Sequence, residues 1–371
     1  MTHTPHPTLT GHLLPQGEKE FSRRALLALP FALAACDRSA SAEAAPRVVP
    51  PLKSIAPFPI GVCVKSNHID DPSWVTLATT HVSRLTPEWE MKMEYILAEG
   101  LGRPRFDGPD RIAAFAAASG MGLHGHTLIW YAQGEQAFAG LERARFTREF
   151  DLYIATVAGR YRGRVLSWDV VNEPVTDEGS DLRDCHWSRM LGTDGYIIRA
   201  FEQARAADPE AVLFLNDYNL ENTPRKGATF LKLVERLMKA GAPIGGIGTQ
   251  SHLDIEIPAG QVAAFLRDAG SLGLPIHVSE LDASLRSGRT VDLRSRDQRI
   301  AQQSARVGEL AEAFMALPAA QRFAFTVWGL RDTDSWLRQG DKDDGQDQPL
   351  LFDAGGAPNP MFEAVAGAFE A

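Results

Sequence analysis

From about Phe58 onward, short apolar runs alternate with longer amphipathic stretches, eight times over. This alternation limits the fold more than any other feature. A strand–helix–strand repeat lays its strands parallel and requires helices to cover the sheet. The runs cover residues 59–64, 81–85, 122–129, 165–171, 211–216, 246–250, 275–279 and 323–328. Apolar residues at helical spacing predict helices over 109–119, 147–160, 196–207, 224–240, 260–272, 296–317 and 359–369. Eight such units predict an α/β fold, a single (β/α)8 or TIM barrel over residues 58–371.

The segment before the barrel reads differently. Ser22-Arg23-Arg24 precedes the apolar run 25–35, which is too short to cross a bilayer as a helix, where about 20 residues are needed. A charged stretch followed by a short apolar one is the pattern of an export signal. The arginine pair gives it twin-arginine character. Leu33-Ala34-Ala35-Cys36 resembles a lipoprotein box, in which Cys36 is the lipidation candidate; the alternative is simple cleavage within Ser39-Ala40-Ser41-Ala42. Residues 1–36 are therefore expected to be the export signal, and 37–57, rich in Ala, Ser and Pro, a flexible linker. The mature protein is expected to be periplasmic or extracellular and monomeric, touching a membrane only through a lipid on Cys36.

A net charge of −9, with no Lys/Arg cluster after the signal, lacks the footprint of a nucleic-acid partner and suits an uncharged substrate. Cys63 and Cys185 are too few for a disulfide framework, and neither has metal-ligand spacing. No metal and no organic cofactor is implied.

In a parallel barrel, chemistry collects where strands end. The fourth run ends Asn172-Glu173-Pro174 and the seventh Ser279-Glu280-Leu281-Asp282. Two carboxylates converging on one mouth are what glycosidic cleavage needs. One is a protonated acid for the leaving oxygen; the other stays ionised and attacks the anomeric carbon or activates water. The sixth run ends Gln250-Ser251-His252, so His252 can bond Glu280 and keep it ionised while Asp282 orients the imidazole. Trp130, Trp328 and Trp336 fall at or just beyond other strand ends, among His126, Asn216 and Tyr218. Indole faces stack on sugar rings, and amides and imidazoles bond hydroxyls.

Taken in order, these motifs resemble glycoside hydrolase family 10, the retaining endo-β-1,4-xylanases. They are Thr86-Pro87-Glu88 with Met91-Lys92, Gly125-His126-Thr127-Leu128 with Trp130, Trp168 to Glu173, and Asn216-Asp217-Tyr218-Asn219. They continue with Gly246-Ile247-Gly248, Gln250-Ser251-His252, Glu280-Leu281-Asp282, Trp328-Gly329, Ser335-Trp336 and Leu350 to Asp353, so the likeness covers about residues 58–370. The resemblance implies Glu173 as acid/base, Glu280 as nucleophile, and His252 and Asp282 as the pair tuning it. It implies sugar contacts at Glu88, Lys92, His126, Trp130, Gln133, Asn172 and Gln250, aromatic walls at Trp328 and Trp336, and Tyr218 beside the leaving group.

The implied reaction is internal hydrolysis of xylan or xylo-oligosaccharides with retention. Two alternatives remain: a hydrolase of another β-1,4-glycan, or a non-catalytic carbohydrate-binding barrel. The chain departs from the family pattern where Asn is replaced by Trp89, Trp by Met93, His by Tyr131, and a Pro-x-Trp by residues 134–138. All of these lie toward the non-reducing end of the substrate.

The lipoprotein reading has a direct check. Cys36→Ser is expected to move the protein from the membrane fraction to the soluble one with catalysis intact. Equal partition of the two forms would leave simple secretion.

Overall fold

The computed structural model describes residues 50–286, 292–340, 343 and 345–371. The apolar runs become parallel strands: β1 Ile60–Val64, β2 Arg84–Pro87, β3 Gly122–Gly125 and β4 Val165–Asn172, then β5 Val212–Asp217, β6 Gly246–Thr249, β7 Ile276–Leu281 and β8 Arg322–Val327. Each pairs with the next, β8 pairs with β1 at Ile60↔Phe325, and the ring closes. The spacing predicts an unbroken strand over 122–129. The ladder instead lapses at 126–128 and resumes at Ile129–Trp130 against Val171 and Asn172. Thr127 Oγ1 and the Leu128 N–H both donate to the Asp169 carbonyl, at 2.9 and 3.0 Å, and so hold the excursion that carries His126.

Eight helices cover the ring. They are α1 Pro72–His81, α2 Asp107–Ala118, α3 Arg143–Arg160, α4 Gly195–Ala207, α5 Pro224–Lys239, α6 Gln261–Gly270, α7 Arg296–Met315 and α8 Pro360–Glu370. Among the described residues none is long and apolar enough to cross a membrane. Seven follow the sequence pattern within a few residues; α1 does not. Its Val75, Thr76, Thr79 and Thr80 are poor helix formers. It is held by Asp71, which accepts from the Ser73 and Trp74 N–H groups, by Pro72 in its first turn, and by threonine hydroxyls bonded back to preceding carbonyls. His81 is its last residue rather than the start of a strand, and it packs edge-on against Phe352 and Phe362.

The linker expectation needs correcting at its end. Leu52–Ile55 form a helical turn with Leu52 buried, so the folded domain begins before Phe58. The signal, Cys36 and residues 37–49 lie outside the described residues. Cys63 and Cys185 are buried free thiols.

A parallel barrel is usually filled with branched apolar side chains. This one carries Arg84, Thr86, His124, Ser167, Asp169, Asn216, His277, Ser279 and Thr326 on its strands, all buried. Most polar groups so placed are hydrogen-bonded. His277 Nε2 meets Thr326 Oγ1 at 2.8 Å, His124 Nδ1 meets Ser167 Oγ at 2.7 Å, and Ser279 Oγ donates to Asn216 Oδ1 at 2.8 Å.

Gly125 ends β3 without a side chain because the Trp168 ring of β4 fills the space; a Cβ there would lie 2.1 Å from a ring carbon. Gly125→Ala is therefore expected to destabilise by about 1–3 kcal/mol in urea unfolding. Gly159→Ala, in an open exposed position of α3, is expected to stabilise by about 0.5–1 kcal/mol. Equal effects of the two changes would refute the packing argument.

Candidate active site

Three adjacent strand ends turn through a left-handed residue that is not glycine: Glu173 after β4 (φ 58°), Asn219 after β5 (φ 56°) and Ser251 after β6 (φ 57°). Each costs of order 1 kcal/mol or more, and such conformations collect at functional sites. At Glu173 the main chain stays tied to the barrel, its N–H donating to the Asn216 carbonyl at 2.8 Å, while the turn redirects the side chain.

Glu173 and Glu280 then line one cleft of about 300 Å³, together with Glu88, Lys92, His126, Trp130, Asn172, Tyr218, Gln250, His252, Trp328 and Trp336. Asp282 stands behind His252. Of the residues expected there, Gln133 alone is out of place. It is 5% exposed, and its Oε1 accepts from the Glu94 N–H at 3.3 Å, supporting the loop behind the wall.

The two carboxylates have different company. Among the described residues, the donors to the Glu173 carboxyl are neutral: the Trp130 indole at 2.7 Å on Oε2, and the Gln250 and Asn172 amides at 2.9 and 3.2 Å on Oε1. Glu280 accepts from Asn216 Nδ2 at 2.9 Å and faces His252 Nε2 at 3.5 Å. Burial pushes the Glu280 carboxyl up, but His126 and His252 outweigh it and hold it below the ordinary range.

His252 is itself anchored. Its Nδ1 lies 2.9 Å from Asp282 Oδ1, and Trp336 Nε1 donates to Asp282 Oδ2 at 2.9 Å. Burial alone would push the imidazole down. The Asp282 and Glu280 carboxylates overcome this and raise it to about 10.

A second relay was only half legible in the sequence. Asp169 Oδ2 meets His126 Nδ1 at 2.8 Å and His124 Nε2 at 2.9 Å. Burial raises this carboxyl, and the two imidazoles more than reverse it, holding Asp169 well below the usual range. His126, Asp169 and Glu280 offer ligand atoms within 4.8 Å of one another. Asp169 is already committed to two imidazoles and Glu280 to Asn216, so the set reads as an imidazole between two carboxylates rather than as a metal cage.

Two more partners went unseen. Lys65 pairs with Glu88 at 3.0 Å. Arg183 donates to the Glu173 carbonyl at 3.0 Å and to Tyr218 Oη at 2.9 Å, and stacks 4.1 Å over the Tyr131 ring. Arg183 lies in an aperiodic loop, where sequence offers no spacing to read. Lys92 sits 5.0 Å over Trp130 and 5.9 Å from Trp328, a cation framed by the aromatic walls.

The departures from the family pattern also have a place. Trp89 is 41% exposed rather than folded into the barrel wall. A separate hollow of about 450 Å³ is lined by Met93, Glu94, Gly134, Glu135 and Ala137 among others, and shares no lining residue with the cleft.

Comparison with known proteins agrees with this geometry. The sequence model for glycosyl hydrolase family 10 matches residues 53–368. The chain is similar to "Endo-1,4-beta-xylanase A" of Cellvibrio japonicus, 33% identical over 85% of this chain and 56% of the relative, and so spans about half of that protein's length. It is also similar to "Endo-1,4-beta-xylanase" of Geobacillus stearothermophilus, 35% identical over 83% of this chain and 94% of the relative. The crystal structure of xylanase XynB from Paenibacillus barcinonensis superposes with a TM-score of 0.77 at 30% identity, over 87% of this chain and 99% of that one.

The raised His252 has a consequence for stability. An imidazole whose folded value exceeds its unfolded one stabilises fully below about pH 6.5, and that contribution is lost as pH rises through about 10. The thermal midpoint is expected to fall between these limits, and the fall to be smaller in His252→Asn. Parallel curves would show that His252 is not charged in the folded state.

Proposed function

The chain belongs to glycosyl hydrolase family 10, and from that premise we propose that it hydrolyses internal β-1,4-xylosidic bonds of xylan with retention at the anomeric carbon. The observation that carries the reading is the unequal treatment of two carboxylates in one cleft. Glu280 is held ionised by imidazoles and an amide, whereas the side-chain carboxyl of Glu173 is met by an indole and two amides.

In the first step a Glu280 oxygen bonds to the anomeric carbon as the glycosidic C–O bond breaks, and Glu173 gives its proton to the departing oxygen. In the second step Glu173 takes a proton from water, whose oxygen bonds to the same carbon and expels Glu280. His252 and Asp282 keep the nucleophile charged. Trp328 and Trp336 form the walls for the sugar rings, Lys92 supplies a donor between aromatic faces, and Tyr218 stands toward the leaving side. Trp89, exposed rather than buried, weakens or relaxes selection of the more distant sugar, whereas Met93 is buried outside the cleft and Tyr131 packs under Arg183. The protein is further proposed to act after export, tethered by a lipid on Cys36 or free.

Reducing ends released from purified xylan, with little from carboxymethyl cellulose, are the expected result. The first-formed product should keep the β configuration by NMR. Glu173→Ala is expected to lower xylan hydrolysis by about 10²–10⁴-fold, to keep more activity on aryl xylosides with good leaving groups, and to recover in part with azide. Glu280→Ala should lose both substrates. The opposite pattern would exchange the two roles, and an inverted product would reject the mechanism.

A further inference from the structure

The floor of the barrel, at the opposite end from the cleft, holds a positive charge with no counter-charge among the described residues. Arg84 opens β2 and is 6% exposed. Its Nε and Nη1 are buried and have no acceptor. Its guanidinium carbon lies 4.6 Å over the Phe323 ring. Burial alone pushes it down to about 10, with no carboxylate contributing, so it remains charged at neutral pH. A cation–π contact on phenylalanine offsets only part of the cost of removing an ion from water.

A second buried polar group packs on the same phenylalanine. His277 on β7 is fully buried; its Nε2 meets the Thr326 hydroxyl and its Nδ1 has no partner. Its ring stands 5.7 Å from the same Phe323, and the Arg84 charge bears on it. If the Thr326 hydroxyl donates to Nε2, Nδ1 carries the proton and is a donor. Beside Arg84, Gly122 at the start of β3 supplies no side chain, and a Cβ there would sit 2.8 Å from Leu166 Cδ1 and 3.6 Å from Arg84 Nε.

We propose that the barrel floor is a binding site for a small monovalent inorganic anion, chloride in ordinary media, held by Arg84 Nε and Nη1 with the Nδ1–H of His277. The anion supplies both the missing acceptor and the missing charge. One guanidinium matches one negative charge, so a sulfate or phosphate dianion would be left under-compensated in so enclosed a place. The site lies below the Asp169–His124 relay and belongs to the stability of the barrel rather than to its chemistry.

The test uses the folded enzyme in sodium chloride against sodium gluconate at constant ionic strength, gluconate being too bulky to enter. A hundredfold rise in chloride is expected to raise the thermal midpoint by about 2–5 °C. Arg84→Met should abolish that rise, and Gly122→Ala, which puts a methyl beside Nε, should reduce it. Crystals grown in bromide should show an anomalous peak within about 4 Å of Arg84, the reach of a hydrogen bond to a large halide. The same chloride response in the parent and Arg84→Met, or no bromide peak at Arg84, overturns the proposal. Should Arg84→Met not fold, the bromide peak in the parent decides alone.

Discussion

The Glu280 carboxylate lies buried between the amide of Asn216 and the imidazole of His252, and much of the barrel interior follows from keeping it charged there. An ion removed from water must be met by opposite charge and hydrogen bonds, or it neutralises. Each group that meets it needs support in turn. His252 leans on Asp282, which takes a bond from Trp336; His126 leans on Asp169, which also holds His124. Asn216 is aimed by Ser279 and by Asn172. The polar residues lining strands that would otherwise carry valine and leucine are thus mostly links in two relays ending on one carboxylate.

The same network separates the chemical characters of two identical side chains. Glu173 and Glu280 share a cleft, and Asn172 and Asn216 bond each other between them. Only Glu280 faces imidazoles. Roles that require one carboxyl to carry a proton and the other to lack it are set by the neighbours, not by the residue type. The left-handed turns at Glu173 and Ser251 belong to this arrangement, because they bring Glu173 and Gln250 within 2.9 Å of each other across two strand ends.

At the floor of the barrel the logic of mutual support is incomplete. Arg84 and His277 carry buried nitrogens with no partner among the described residues, Arg84 over the Phe323 ring and His277 edge-on to it. A barrel built to hold charge at its mouth has placed a further charge at its base, and no described residue compensates it. The two ends are joined through ring contacts, with His277 4.7 Å from His124 and His124 bonded to Asp169.

Much of this was legible in one dimension. Apolar runs spaced by amphipathic stretches determined the strand order and the closed parallel ring, because a buried parallel strand must be apolar where it meets its helices. Residues just past each run had to lie at the mouth, so Glu173, Glu280, His252 and Trp130 were found by position. Where periodicity failed, so did the reading. The threonine-rich α1 hid behind β-branched residues and is held by capping and side-chain bonds. Gln133 sits in the right loop but faces inward to bond the Glu94 backbone. Arg183 and Lys65 reach the site across distances that no local spacing encodes. Sequence by itself determined which residues stand at the strand ends, since alternation and strand length are local properties. Only the tertiary structure decided which of them share protons and charge, because hydrogen bonds and Coulomb interactions depend on distances set by barrel closure, between residues dozens to hundreds of positions apart.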